Sequence, residues 1–136
     1  MRDFIRLRTE QREQLIDITD RVRRIVEGSG VDNGLVGLYA HHSSAALMIQ
    51  ENWDHSVPHD VVTLLHELIP PGRWEHDQHD DNGDAHLKAG IVGPSETVPL
   101  IDGRLGLSRW QGVFFCEFDG PRPERTVVVT VLSDGT

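Results

Sequence analysis

The first two apolar segments of the chain alternate with polar residues at a period of two. Residues 3–9 alternate imperfectly, and Gln14–Ile18 follows after a polar break. A period of two is typical of β-strands, and a polar break between two such segments is typical of a turn. The pattern therefore predicts a β-hairpin whose first strand lies at the edge of a sheet.

The next segment changes to the spacing of an α-helix. Val22, Ile25 and Val26 recur at helical spacing behind Thr19, a residue type favoured at the N-cap position. Gly28 then provides the residue type at which helices commonly end. We therefore expect a helix from Thr19 to Gly28, followed by a loop.

The clearest helical pattern begins at Pro58, since proline is tolerated in the first turn of a helix, and it ends before Pro70 and Pro71. Its apolar stripe consists of Val61, Leu64, Leu65 and Leu68. Such a stripe is typical of a helix face that packs on the core. A long polar loop is expected over residues 72–84, and a short helix over Ala85–Ile91.

The remaining apolar segments are rich in β-branched and aromatic residues, which is typical of strands. They are Leu35–His41, Ser43–Gln50, Glu96–Ile101, Val113–Phe118 and Thr126–Leu132. A turn signal, Asp102-Gly103, follows the third of them. The order of strands and helices predicts an α+β fold, with a two-layer, β-sandwich-like mixed or antiparallel sheet and two main helices.

Composition limits the size and the partners of this fold. The chain has 136 residues, and its 38% of hydrophobic residues is enough for the core of one domain, residues 1–136. The formal net charge of −9 repels phosphate backbones, so nucleic acid is not expected as a partner. An anionic ligand would need a local cation, either an arginine or a metal ion.

Location is predicted from the cysteine count and from the apolar runs. A single cysteine, Cys116, excludes an intrachain disulfide and suits a reducing cytosol. The first residues of the chain lack the apolar core of a signal peptide, and no apolar run approaches the about 18 residues that span a bilayer. We therefore expect a cytoplasmic protein that does not engage a membrane.

The most distinctive local feature is the segment His76–His86, which contains three histidines, four aspartates and one asparagine. Imidazole nitrogens and hard oxygens are the ligands of zinc, manganese, iron and magnesium. The alternative is a solvated polar loop. A calcium-binding EF-hand is excluded, because placing Gly83 at the sixth loop position puts Gln78 first and Ala89 twelfth, where neither can serve as a ligand.

A second feature, His41-His42-Ser43-Ser44, ends a predicted strand. Since side chains alternate faces along a strand, only one of the two histidines can point into a given site. The alternative is one surface histidine and one buried histidine bonded to the backbone. The serine hydroxyls and backbone N–H groups are compatible with a phosphate cradle.

A third feature follows the predicted strand Val113–Phe118. Glu117 and Asp119 fall on one face of it, and two like charges repel unless a metal ion, an arginine or a proton lies between them. An exposed pair beside a turn is the alternative. Cys116 is expected to be a buried small hydrophobic residue and not a nucleophile.

Three motifs in this order resemble those of the YjbQ-like family, whose members are described as secondary thiamine-phosphate synthases. They run from His42 to Glu51, from Asp80 to Lys88, and from Trp110-Gln111 through Glu117 to Arg122. The chain departs from the family pattern at three points. It has Ser43-Ser44 for two threonines, Gln50 for asparagine, and Ser108-Arg109 for Gly-Thr.

The resemblance implies an α+β sandwich that assembles as a homotrimer with clefts between subunits, and a divalent metal ion (zinc, magnesium or manganese) near the histidines. It also implies an enzyme that joins a hydroxymethylpyrimidine pyrophosphate to a hydroxyethylthiazole phosphate and releases pyrophosphate. The ligand would thus be a small phosphorylated metabolite. On this resemblance, the chain is expected to be a transferase of that kind.

Roles are assigned to the matching residues on this basis. The expected catalytic residues are His42, Asp80 and Glu117, with Glu117 as the base. The expected metal ligands are His42, His76 and His86, and the expected substrate-binding residues are Ser43, Ser44, Asn82, Trp110, Gln111 and Arg122. Two alternatives remain at this point, namely a non-catalytic trimer that binds a metal or metabolite, and a metal-dependent hydrolase.

Overall fold

Eight strands form two antiparallel sheets in the computed structural model, which describes all of residues 1–136. The strands are β1 Arg2–Thr9, β2 Gln14–Asp17, β3 Gly34–Ala40, β4 Ala45–Glu51, β5 Ser95–Ile101, β6 Arg104–Leu105, β7 Gln111–Glu117 and β8 Arg122–Ser133. The larger sheet has the order β1-β8-β3-β5-β6, and the smaller has the order β2-β7-β4. The predicted α+β, sandwich-like fold is confirmed, and every strand pair is antiparallel.

Three α-helices and one 3₁₀ turn complete the fold. They are α1 Thr19–Ser29, α2 Ser56–Leu68, the 3₁₀ turn Glu75–Gln78 and α3 Gly83–Val92. The segment predicted as a long loop is therefore partly helical, because α3 begins at its C-terminal end. None of the helices combines the length and the apolar composition needed to cross a bilayer.

The main core lies between the two sheets. The inner face of the larger sheet contributes residues of β1, β3, β5 and β8, and the smaller sheet contributes residues of β4 and β7. Val22 and Val26 of α1 close one side of this core. The outer face of the smaller sheet carries a second cluster, in which Ala85 and Ala89 of α3 and Leu65 of α2 pack against Cys116 and other sheet residues. Three layers result, and one face of the larger sheet is left uncovered.

The start of α1 differs from the prediction in one residue. Ile18 is the N-cap, and Thr19 is the first helical residue. The Thr19 hydroxyl donates to Asp17 Oδ1 and accepts the backbone N–H of Val113 at 2.9 Å, so it ties the helix to β7. The helix ends at Ser29, where Gly30 adopts φ 69°, the left-handed conformation that glycine tolerates.

The predicted hairpin of the first two strands is wrong. β1 pairs with β8, whereas β2 pairs with β7 in the other sheet. Local alternation identifies a strand, but its partner is selected by contacts between distant residues. Here the segment between β1 and β2 crosses from one sheet to the other, and Arg12 anchors it by an ion pair with Asp84 of α3.

The apolar stripe of α2 is covered less than predicted. No residue of α2 is buried, and Leu64 and Leu68 are 54% and 66% exposed. Only Leu65 of the stripe joins a buried cluster. The smaller sheet has three strands, and its outer face is shared between α2 and α3, so it is too narrow to cover the whole stripe. Leu64 and Leu68 thus leave exposed apolar surface on the C-terminal half of this helix.

Candidate functional site

The loop between β3 and β4 places His42 half-buried beside β8. The backbone N–H of Thr126 donates to His42 Nε2 at 2.8 Å, so the neutral ring must carry its proton on Nδ1. Burial lowers the pKa of His42, and the neighbouring positive charge of Arg125 lowers it further. His42 is therefore a neutral imidazole whose Nε2 is already occupied, while His41 is exposed.

Glu117 is fully buried and forms an ion pair with Arg125 of β8. Its Oε1 accepts from Arg125 Nε at 2.8 Å and from the Thr9 hydroxyl at 2.7 Å. Its Oε2 accepts from Arg125 Nη2 and from the Asp119 backbone N–H. Burial alone would raise the pKa of Glu117, but the hydrogen bonds from Arg125 and Thr9 outweigh it and hold the pKa below its ordinary value.

These four donors correct the predicted role of Glu117 as a base. An ionised carboxylate offers about four lone-pair sites, and all of them are used inside the protein. No lone pair is left to take a proton from a substrate. The carboxylate instead holds Arg125, whose Nη2 also donates to the Ser44 hydroxyl at 3.0 Å.

Arg122 lies on the surface and pairs with Asp119. Its Nη2 donates to Asp119 Oδ2 and its Nε to the Asp119 carbonyl, both at 2.8 Å. Asn82 also donates its Nδ2 to Asp119 Oδ2 at 2.8 Å. The two carboxylates of this strand end are thus neutralised by two separate arginines, and the predicted phosphate-binding guanidinium is already paired within the chain.

His86 is oriented by a backbone carbonyl. Its Nδ1 lies 2.9 Å from the carbonyl oxygen of Ser43, and because a carbonyl only accepts, His86 Nδ1 carries the proton. The lone pair of Nε2 is then free. The ring of His76 stands perpendicular to it, with 4.9 Å between centroids. Together they border a cavity of about 490 Å³, which is also lined by Trp74, Glu75, Gly83 and Leu87.

Asp77 brings these two histidines together. Its carboxylate accepts the backbone N–H of Trp74 at 3.0 Å and that of Gly83 at 2.8 Å, which joins the 3₁₀ turn to the start of α3. Those two hydrogen bonds lower the pKa of Asp77. Gly83 is required here, because a Cβ at this position would lie 2.8 Å from Trp74 Cβ.

A buried charge network fixes α3 from its other side. Lys88 and Asp84 are both fully buried, and Lys88 Nζ donates to Asp84 Oδ2 at 2.8 Å. Arg12 adds a second cation to Asp84, and Glu13 is the second partner of Lys88. Burial alone would raise the pKa of Asp84, but the hydrogen bonds from Arg12 and Lys88 reverse the direction and lower it.

The predicted three-histidine metal site is not assembled. His76 and His86 are adjacent, but His42 uses Nε2 to accept from the backbone, and no group of three or more His, Cys, Asp or Glu side chains is arranged to hold a metal ion. Asp80 lies 3.7 Å from His76 Nε2 on an exposed part of the turn. The three histidines, as they are arranged here, therefore do not form the expected metal site. A bound metal ion is still only what the family resemblance implies.

Trp110 and Gln111 lie at the end of β7 opposite to Glu117 and do not line the cavity of His76 and His86. Gln111 begins β7 and Glu117 ends it, which separates them by about 20 Å at a rise of about 3.4 Å per residue. Trp110 stacks edge to face on Trp53, and Arg109 covers its ring at 4.7 Å. These predicted substrate-binding residues belong to a different surface from His86.

Arg125 is the main site residue that the sequence analysis missed. It shares a face with Val127, Val129 and Val131, because side chains on a strand alternate at a period of two. A charged residue in register with a buried apolar stripe requires a buried partner of opposite charge. The alternation of this strand in the sequence could therefore have indicated that Arg125 is buried and paired. Cys116 agrees with its prediction, since burial raises the pKa of its thiol to about 12.

Relatives of similar length match almost all of the chain. A UPF0047 protein of Methanocaldococcus jannaschii is 41% identical over 128 residues, which cover 94% of this chain and 91% of the relative. The UPF0047 protein YugU of Bacillus subtilis is 40% identical over 131 residues, which cover 94% of this chain and 96% of the relative. These names describe no reaction, substrate or metal ion.

The comparison corrects the predicted function. The relatives are known only as members of an uncharacterised family, and the three-ligand metal group is not formed. The predicted metal-binding enzyme of phosphorylated metabolites, with thiamine-phosphate synthase activity, is therefore wrong. The two alternatives, a non-catalytic metal- or metabolite-binding trimer and a metal-dependent hydrolase, are equally without support.

The fold is the same as that of solved relatives. A YbjQ-like protein of unknown function from Sulfolobus solfataricus superposes with a TM-score of 0.95 at 38% identity, covering 98% of this chain and 97% of that one. A YjbQ/UPF0047 family protein from Clostridium acetobutylicum gives a TM-score of 0.90 at 37% identity, covering 96% and 99%. The family described as "UPF0047 protein YjbQ-like" matches residues 3–134. The chain therefore belongs to the YjbQ-like UPF0047 family.

Proposed function

We propose that the chain is an enzyme in which His86 acts as a general base on a small molecule bound beside His76. The observation that carries this proposal is the 2.9 Å contact of His86 Nδ1 with the Ser43 carbonyl. Such a contact fixes the ring and the tautomer and leaves Nε2 free to accept a proton, which is how backbone-oriented histidines serve as bases. General-base catalysis by a neutral imidazole requires a free ring nitrogen and no bound metal ion.

Support for the substrate class comes from the cavity that the two rings border. Trp74 and Leu87 give it apolar walls, and Glu75 with the histidines gives it polar groups. A site of this kind suits a small organic molecule with one apolar part and one polar, proton-bearing part.

The test uses p-nitrophenyl acetate, an activated ester that reports imidazole reactivity, in a buffer with excess chelator. A positioned base contributes roughly 100-fold to 10,000-fold to a rate. We expect His86→Ala to lose about 100-fold or more of the hydrolysis rate. His66→Ala is the matched control, because His66 is exposed on α2, and it should keep the wild-type rate.

Two outcomes would contradict the proposal. One is equal rates for wild type and His86→Ala, which would remove His86 from any proton transfer. The other is a wild-type rate that disappears with chelator and returns with a metal ion, which would assign the reactivity to a metal and not to the free imidazole.

We also propose that the chain assembles as a homotrimer, as the family resemblance implies, and that it is cytoplasmic, as its single cysteine suggests. Support comes from the uncovered face of the larger sheet, whose large apolar residues are exposed. They are Phe4, Leu35, Tyr39, Ile101 and Leu132. Register places Leu35 opposite Leu132, and Val128 between Phe4 and Tyr39, so apolar side chains face one another across neighbouring strands in two groups on this face. Exposed apolar side chains clustered on one face of a sheet are typical of an interface.

A second apolar surface lies on the opposite layer. It comprises Leu64 and Leu68 of α2 with Leu87 and Ile91 of α3, all at least 41% exposed. Two different apolar faces on one chain suit a head-to-tail contact, in which one face of each copy meets the other face of the next. Contacts of that type close into a ring when the rotation between successive copies closes, and a trimer is the smallest ring beyond a dimer.

A further inference from the structure

The loop that orients His86 is itself held from β7 and β8. Arg125 Nη2 donates to the Ser44 hydroxyl at 3.0 Å, and the Thr126 backbone N–H donates to His42 Nε2 at 2.8 Å. The His41 N–H donates to the Thr126 carbonyl, and the Phe118 N–H to the Ser44 carbonyl, both at 3.2 Å. The Ser43 carbonyl lies between these anchors, so its direction toward His86 is set by them.

We propose that Arg125, fixed by Glu117, is a positioning residue that holds the His42–Ser44 loop so that the Ser43 carbonyl keeps the proton of His86 on Nδ1. This inference rests on the proposed function of His86. It adds a connection that neither the sequence motifs nor the family assigns, from a buried ion pair through Ser44 to the base.

Geometry explains why an arginine is needed here. Its guanidinium donates to both oxygens of Glu117 and to Ser44 at the same time, which a single ammonium group of lysine cannot reproduce in one plane. Both partners are buried, with Arg125 5% and Glu117 0% exposed, so water cannot replace a lost donor. The Thr9 hydroxyl and the Asp119 N–H complete the shell of Glu117 and prevent it from turning.

The neighbouring charges favour the same state. Burial lowers the pKa of His42, and the positive charges of Arg125 and Arg122 lower it further, while the negative charge of Glu117 acts in the opposite direction. His42 thus stays neutral and keeps accepting from Thr126. A protonated His42 would have no lone pair for that N–H, and the loop would lose one of its anchors.

The experiment compares Arg125→Lys with Arg6→Lys, which makes the same change in an exposed Arg–Glu pair with Glu124. For Arg125→Lys we expect the rate constant of p-nitrophenyl acetate hydrolysis to fall roughly tenfold or more with little change in KM, since misplacement of a catalytic group lowers the rate. We also expect the Thr126 amide proton signal to shift by NMR. Arg6→Lys should leave the rate constant unchanged; because Arg6 lies directly opposite Thr126 in the β1–β8 pairing, this control is compared by rate alone.

Ser44→Ala keeps the proposal falsifiable if Arg125→Lys does not fold, because it removes only the Arg125–Ser44 hydrogen bond. It should lower the rate in the same direction and shift the same amide signal. An unchanged rate and an unchanged Thr126 signal in the folded variants would overturn the proposal. A shifted Thr126 signal with an unchanged rate would overturn the link from Arg125 to catalysis by His86. The rate of His86→Ala separately decides whether His86 is the base.

Discussion

Replacing Arg125 with methionine is expected to destabilise the protein by about 3–5 kcal/mol. The change leaves the carboxylate of Glu117 buried without its cation, and an uncompensated buried charge costs this much when one partner of a buried pair is removed. Glu117 is fully buried, and its remaining donors are the Thr9 hydroxyl and the Asp119 N–H. The quantity to measure is the free energy of unfolding by urea titration at neutral pH.

The matched control is Arg6→Met. Arg6 also pairs with a glutamate, Glu124, but both side chains are about 60% exposed. Exposed pairs contribute roughly 0–1 kcal/mol, so this variant should unfold within about 1 kcal/mol of wild type. Replacing Glu117 with leucine in the Arg125→Met background should recover part of the loss, since an apolar pair is often neutral or better. Arg125→Met and Arg6→Met are compared directly by their loss in free energy of unfolding. Equal losses would show that the burial of the Arg125–Glu117 pair makes no difference to stability.

If the chain assembles as proposed, replacing Leu35 with lysine is expected to convert the proposed homotrimer to monomer. Leu35 lies on the uncovered face of the larger sheet, near the start of its middle strand β3, opposite Leu132 of β8 and Pro99 of β5. An unpaired charge in the buried part of an interface costs several kcal/mol per copy, and each copy repeats it. Because Leu35 is 49% exposed in the single chain, the fold itself should remain.

Light scattering at micromolar concentration measures this effect. Wild type should have three times the mass of the chain, and Leu35→Lys the mass of one chain with an unchanged circular dichroism spectrum. Glu27→Lys is the control, since it introduces the same side chain at an exposed position of α1, outside both apolar faces. A wild-type monomer, or a Leu35→Lys trimer, would contradict the proposed use of this face.

Much of the fold follows from local pattern. β3, β5, β7 and β8 coincide with predicted strands to within a few residues, because each alternates or carries a continuous apolar run between turn residues. Pairing is different in kind. The partner of β2 lies about a hundred residues away on β7, and nothing in its four residues specifies that partner over β1.

The candidate site likewise has features that follow from the local sequence and features that depend on contacts between distant residues. The segment His76–His86 was identified from composition, and two of its histidines do meet across 4.9 Å. The roles of His42 and Glu117 could not be predicted, because they are decided by Thr126 and Arg125 on a distant strand. A motif shows which residue types are present, whereas the free lone pair that defines a base depends on which hydrogen bonds are already made.

The central claim is that His86 presents an unprotonated Nε2 at the cavity, and long-range proton–nitrogen NMR of the histidine rings tests it most directly. At neutral pH with excess chelator, the neutral His86 ring is predicted to carry its proton on Nδ1, with the signal of a free, unprotonated Nε2. Ser43 holds that proton through its carbonyl at 2.9 Å. A His86 ring protonated on Nε2, with Nδ1 unprotonated, would contradict the account.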